Sequence, residues 1–264
     1  MNSTYRVPAR VAPEAGPAGV NSTHHVSAPA AGSRGVGGAL LVLVAAMLGV
    51  GGCAPAAAQQ VETVPVRIMP LGASITWGHG SSSDDGYRRI LRERLSEAGV
   101  AVDLVGSQRS GSMTDAEHEG HPGYRIDQVA GGVSQWLADA RPDVVLINVG
   151  TNDTIQNRDL ADAPDRLRRL IDSIVAVRPG ALVVFSSLVP SGDLECEKRV
   201  RAFNAALPSI AQAQREAGHR VVLVDLHGAL TVTDIGPDRI HPTDAGYRRI
   251  ADAWFAALQP QLAP

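Results

Sequence analysis

Asp143-Val144-Val145-Leu146-Ile147-Asn148-Val149 runs directly into Gly150-Thr151-Asn152-Asp153. Between Asp143 and Asn148 the run is unbroken and apolar, without the polar alternation of a strand that has one wet face. It reads as a strand buried on both sides, as in a parallel sheet covered by helices. The Gly-Thr-Asn-Asp that follows is turn chemistry, so polar groups emerge at the carboxyl end of that strand.

Working outward, similar apolar runs predict strands over 66–70, 102–106, 181–187 and 220–225. Stretches of helical period separate them, over 87–98, 126–140, 164–177, 197–217 and 243–258. In the first of these helices Ile90, Leu91 and Leu95 share a face, and Gly99 stands where a helix commonly ends. Residues 107–124 read as a long loop. Strands alternating with helices predict an α/β fold, a three-layer α/β/α sandwich around a five-stranded parallel sheet in the order 2-1-3-4-5. In such a sheet ligands bind at the carboxyl ends of the strands. No internal repeat and no second domain is visible.

The chain has 264 residues, 44% of them apolar, and a formal charge of −3. That balance supplies no basic footprint for nucleic acid. Two cysteines, Cys53 and Cys196, are too few for a disulfide framework or a metal cluster. Residues 1–33 are rich in Pro, Ala, Gly and Ser without hydrophobic period, which predicts a disordered leader. It is long for the start of an export signal, and the expectation is that translation begins downstream, near Val26. Arg34, the apolar stretch around residues 40–48 and the exit Val50-Gly51-Gly52-Cys53 predict a secretory signal over 34–60, not a spanning helix. The exit resembles a bacterial lipoprotein box, with Gly51 departing from the usual Ala or Ser. Lipid on Cys53 would tether the protein at the cell surface; plain cleavage within 54–59 would release it. Residues 61–264 then form the functional domain.

Chemistry-bearing residues follow the predicted strands in a fixed order. Ser74 follows the first, in Gly72-Ala73-Ser74-Ile75-Thr76. It could be a nucleophile or simply a helix N-cap. His118-Glu119-Gly120-His121-Pro122-Gly123 ends the loop, where the Gly123 N–H could face a ligand closely or merely serve a turn. Asn152 could donate its amide to an oxyanion or close an Asx-turn. Asp238 stands three residues before His241 in Asp238-Arg239-Ile240-His241-Pro242. A serine needs an imidazole to take its proton, and the imidazole needs a carboxylate to fix its tautomer. The ordered set is the inventory of a serine esterase. His118, Glu119 and His121 do not have the spacing of a zinc site, no phosphate-binding fingerprint is present, and no cofactor is expected.

With these residues the chain resembles the SGNH (GDSL-type) hydrolases over about residues 64–258. The resemblance implies a flavodoxin-like SGNH hydrolase fold, with Ser74 as nucleophile, His241 as base and Asp238 as its orienting carboxylate. It further implies an oxyanion hole made by the Ser74 N–H, the Gly123 N–H and the Asn152 side chain. One position departs from the family: Ala73 stands where Asp usually precedes the nucleophile, which leaves open what hydrogen-bonds that turn. A finer resemblance is to carbohydrate esterase family 3, which contains acetyl-xylan esterases. It rests on Ile68-Met69-Pro70-Leu71-Gly72, Val105-Gly106-Ser107-Gln108-Arg109-Ser110-Gly111, residues 118–124 and Phe203-Asn204-Ala205-Ala206-Leu207-Pro208. It implies removal of small acyl groups from carbohydrate by an extracellular or surface-tethered enzyme. The alternatives are a lipase, lysophospholipase or thioesterase on longer acyl chains, and an inactive tethered glycan-binding protein.

Overall fold

In the computed structural model, which describes residues 64–262, the chain begins with β1 (Val66–Gly72), α1 (Ser74–Trp77), α2 (Arg88–Glu97), β2 (Val102–Leu104), β3 (Gln108–Arg109) and β4 (Glu117–Gly120). It continues through α3 (Ile126–Ala140), β5 (Val144–Asn148), α4 (Thr151–Gln156), α5 (Ala163–Val177), β6 (Leu182–Ser186) and α6 (Leu194–Glu216). It closes with β7 (Val221–Val224), α7 (Leu226–Ala229), a 3₁₀ turn (Val232–Asp234) and α8 (Asp244–Leu262). The expected leader over 1–33, the expected signal segment over 34–60 and Cys53 lie outside the described residues.

The strands form a mostly parallel sheet with helices on both faces. The expected count and order are corrected: the sheet has seven strands, running β3-β4-β1-β5-β6-β7, with β2 also paired to β1. Both added strands come from 107–124, read as loop. They are short and polar, Gln-Arg and Glu-His-Glu-Gly, and so carry no apolar alternation to reveal them. Their origin is geometric. β2 pairs with β1 only along Val66–Ile68, and β4 then takes the same edge at Leu71 and Gly72. β3 returns antiparallel to β4.

Period-two alternation divides the buried strands between two cores. Met69, Leu71, Val145, Ile147, Val183 and Phe185 pack against α3, α5 and α6. Ile68, Val144, Leu146, Leu182 and Val184 pack on the other side against α2 and α8. Each face therefore buries its own apolar layer, and the sheet is held rigid beneath its carboxyl edge. Helix α6 starts earlier than the sequence suggested. Asp193 caps it by accepting from the Cys196 N–H at 2.8 Å, so Cys196, one residue ahead of the expected helix, lies buried in its first turn.

Candidate active site

Three neighbouring strands deliver three of the predicted residues side by side. β1 lies between β4 and β5, with Gly72 opposite Gly120 on one side and Asn148 on the other. Ser74, Gly123 and Asn152 each follow their strand by a few residues. The crossing at Gly72 is too tight for any side chain: a Cβ there would stand 2.2 Å from the Asn148 carbonyl oxygen. Ser74 is not an N-cap. It is the first residue of α1, and its hydroxyl lies 2.8 Å from His241 Nε2.

The imidazole reaches Ser74 from the turn before α8. His241 Nδ1 lies 2.6 Å from Asp238 Oδ2, while Asp238 Oδ1 accepts from the Ile240 and His241 N–H groups, each at 3.0 Å. Partial burial pushes the Asp238 carboxyl up, but those two N–H groups and the imidazole outweigh it and hold it below the usual carboxylate range. Nδ1 therefore donates to Asp238, and Nε2 is left to accept the serine proton. Gly80 lets loop 78–86 pass against this ring, since a Cβ there would stand 2.8 Å from His241 Cβ. His79 follows α1, its ring 5.6 Å from that of His241; burial first, then the His241 charge, lower its pKa.

The sequence reading missed the group that holds the Ser74 turn. Arg88 is fully buried, and its guanidinium donates to the carbonyls of Thr76 (3.1 Å), Trp77 (3.0 Å), Asp84 (2.8 Å), Ser110 (3.1 Å) and Ala116 (3.0 Å). It also reaches the Ser110 hydroxyl at 2.8 Å. Ser110 in turn donates to the Trp77 carbonyl and meets His118 Nε2 at 2.7 Å. Ala73, the residue before the serine, is itself buried, and Arg88 is what hydrogen-bonds the end of α1. A signal was available: Arg88, Leu91 and Leu95 are spaced i, i+3, i+7 and share the buried face of α2.

Gly123 adopts φ 83°, the left-handed region that favours glycine. It sits in a turn closed by Tyr124 N–H donating to the His121 carbonyl at 3.0 Å. Asn152 does not close an Asx-turn; its Nδ2 donates to the Tyr124 carbonyl at 2.9 Å, pinning the far side of the same turn. An amide nitrogen has two hydrogens, so one remains for a ligand. Asp153 is structural. It accepts from the Ile126 N–H at 3.1 Å and from Arg166 at 2.8 Å, and burial, working against both bonds, raises its pKa. His118, Glu119 and His121 do not converge as metal ligands. His118 binds Ser110 and the Gly120 N–H, whereas Glu119 binds Ser107 and His121.

A serine hydroxyl on an imidazole, an imidazole on a carboxylate and amide donors alongside, at the carboxyl edge of a parallel α/β sheet, have the makings of acyl-transfer chemistry. The protein is a carboxylic ester hydrolase. The chain belongs to the GDSL-like Lipase/Acylhydrolase family, whose model matches residues 71–249. Among solved structures, the Clostridium thermocellum family 3 carbohydrate esterase is 34% identical with TM-score 0.70, covering 75% of this chain and 98% of that one. An acetyl esterase mutant with acetate ion is 25% identical with TM-score 0.67, at the same coverage of 75% and 98%. A relative named putative endoglucanase X, from Acetivibrio thermocellus, is 31% identical over 132 residues, 49% of this chain. The match spans only 56% of that relative's length.

Proposed function

We propose that this chain is an exported serine esterase that removes small acyl groups, acetyl above all, from carbohydrate hydroxyls. The observation that carries the reading is the continuous hydrogen-bonded path Ser74 Oγ, His241 Nε2, His241 Nδ1, Asp238 Oδ2, with steps of 2.8 and 2.6 Å on either side of the ring. In the first half-reaction Ser74 Oγ attacks the ester carbonyl carbon as His241 Nε2 takes the serine proton. The bond to the sugar oxygen then breaks, and His241 returns the proton to the leaving alkoxide. In the second half, water attacks the acyl-serine with His241 as base, releasing acetate and free serine. The Ser74 N–H, the Gly123 N–H and the Asn152 amide are the oxyanion donors in this scheme.

The small acyl group is favoured by the name of the acetyl esterase with acetate ion among the similar structures. Carbohydrate as the acyl carrier is favoured by the names of the family 3 carbohydrate esterase and the acetyl esterase among the similar structures. Export is favoured by the apolar segment and its Gly51-Gly52-Cys53 exit, with lipid on Cys53 as a tether or cleavage within 54–59 as release.

The test compares p-nitrophenyl acetate, butyrate and octanoate with acetate release from acetylated xylan, using Ser74→Ala as control. Acetate preference and xylan deacetylation, both lost in Ser74→Ala, are expected. Octanoate preference without action on xylan would move the assignment to lipid or thioester hydrolysis. Asn152→Ala should fold and lose about 10²- to 10³-fold in kcat, the usual effect of deleting one oxyanion donor. Unchanged turnover would remove Asn152 from that role.

A further inference from the structure

His121 opens the turn that contains Gly123, and the hydrolytic mechanism does not use it. Its surroundings are nevertheless built. The ring is stacked between Tyr124, at 4.8 Å and 19°, and Trp136 of α3, at 4.5 Å and 17°. Its Nε2 lies 2.6 Å from Glu119 Oε1. Glu119 has no exposed surface, and its two oxygens also accept from the Ser107 N–H and hydroxyl, each at 2.7 Å. The carboxylate thus fixes the imidazole edge while two aromatic rings fix its faces.

The outer end of the stack is also shaped. Gly132, one helical turn before Trp136, leaves space that the indole occupies: a Cβ at 132 would fall 2.2 Å from Trp136 Cζ2 and 2.5 Å from Cη2. At the inner end, His121 and Tyr124 are the first and last residues of the turn that contains Gly123. Its backbone is held at one side by the His121 N–H on the Gly72 carbonyl, at 3.0 Å, and at the other by Asn152 on the Tyr124 carbonyl. Side chains and backbone therefore brace the same four residues.

We propose that His121, clamped by Glu119 and by the stack Tyr124–His121–Trp136 over Gly132, is a positioning residue that sets the direction of the Gly123 N–H. The inference rests on the reading of Gly123 as an oxyanion donor. It assigns a role in turnover to residues on α3 and β4 outside the Ser74–His241–Asp238 path. Misplacing a donor by about 1 Å is enough to cost on the order of a hundred-fold in rate, whereas ground-state binding of the ester needs no such alignment.

The experiment measures kcat, KM and the unfolding midpoint for His121→Ala, Trp136→Ala, Trp136→Phe and Gly132→Ala on p-nitrophenyl acetate, with Ser74→Ala alongside. His121→Ala and Trp136→Ala should lower kcat by roughly ten- to a hundred-fold, with KM within about twofold. Trp136→Phe should recover kcat to within about threefold, because it restores a flat face against His121. Gly132→Ala separates positioning from folding. Alanine is the better helix former, yet its methyl displaces the indole, so kcat should fall while the unfolding midpoint holds or falls only slightly. Wild-type kcat in both His121→Ala and Trp136→Ala, with Ser74→Ala inactive, overturns the brace and leaves the esterase reading standing. If His121→Ala does not fold, an unchanged kcat in Gly132→Ala and Trp136→Ala overturns it equally. Full turnover in Ser74→Ala overturns the esterase reading and the brace together.

Discussion

The turn that carries His241 is built from its own residues, whereas the turn that carries Ser74 is built from residues scattered along the chain. Asp238 folds back on the N–H groups of residues two and three positions later and meets the imidazole of the second, all within one exposed loop. Around Ser74 the supports are Gly72 of β1, Arg88 of α2, Ser110 after β3 and His118 of β4. They are deeply buried, apart from the half-buried Ser110 bridging them, and bond mainly to carbonyls. One half of the site is a local turn motif; the other is a polar core below the sheet edge. The first can fail without the fold noticing, and the second cannot.

Arg88→Leu is the severest break of that contrast. It leaves five carbonyls and the Ser110 hydroxyl without the charged donor that serves them, most of them away from water. Stranded buried acceptors cost about 1–3 kcal/mol each and do not add fully. A loss of about 4 kcal/mol is expected, read as a drop of roughly 10 °C in the unfolding midpoint. Turnover should disappear with it, because the carbonyls of Thr76 and Trp77 are what Arg88 holds at the end of α1. A variant with normal stability and no activity would mean that the buried network serves the site alone.

Asp238→Asn sharpens the comparison from the other side. The amide keeps an acceptor for the two N–H groups, so the turn should survive and the midpoint should stay within about 2 °C. What is lost is the charge that orients the imidazole and stabilises its protonated form. The expected fall in kcat is roughly a thousand-fold or more. Measuring kcat and the unfolding midpoint on the same samples tests the division: a midpoint shift as large as that of Arg88→Leu would show that the His241 turn is not self-contained.

The same division explains what the sequence revealed. Asp238 and His241 are legible because a carboxylate three residues before a histidine can meet it with no help from elsewhere. Strands β1, β5, β6 and β7 are legible because their apolar runs, such as Val144–Ile147, are long enough to see, and β2 because Val102 and Leu104 flank a single aspartate. Strands β3 and β4 were not, since their residues are polar and their existence depends on β2 stopping at Leu104. Arg88 was missed although it lies in phase with Leu91 and Leu95, because helical periodicity was read from apolar residues alone. The partners of Arg88 lie in three separate segments, and no spacing within α2 indicates them. Ser74 and Asn152 stood between chemical and capping roles in the sequence. Long-range bonds to His241 and to the Tyr124 carbonyl remove the local alternatives.

His118 provides the mildest test, and one that pH can read without touching Ser74. Burial, then the Arg88 charge and His121, push its pKa down from 6.5 to about 3. Geometry gives the reason. Nδ1 accepts the Gly120 N–H at 2.9 Å, so a second proton would set two N–H groups against each other. In the unfolded chain the same imidazole binds a proton near its ordinary value. Stability is thus fully present above about pH 6.5 and is lost as pH falls toward 3, the unfolded state taking up the proton that the native state refuses. Between pH 7 and 4.5 this amounts to about 2.5 kcal/mol, at 1.36 kcal/mol per unit of separation. Urea unfolding of the protein and of His118→Gln at both pH values checks it: the variant should be less stable at pH 7 but lose about 2.5 kcal/mol less on acidification. Parallel losses in the two proteins would place the acid sensitivity elsewhere, with His79, whose pKa is also lowered, the next group to replace.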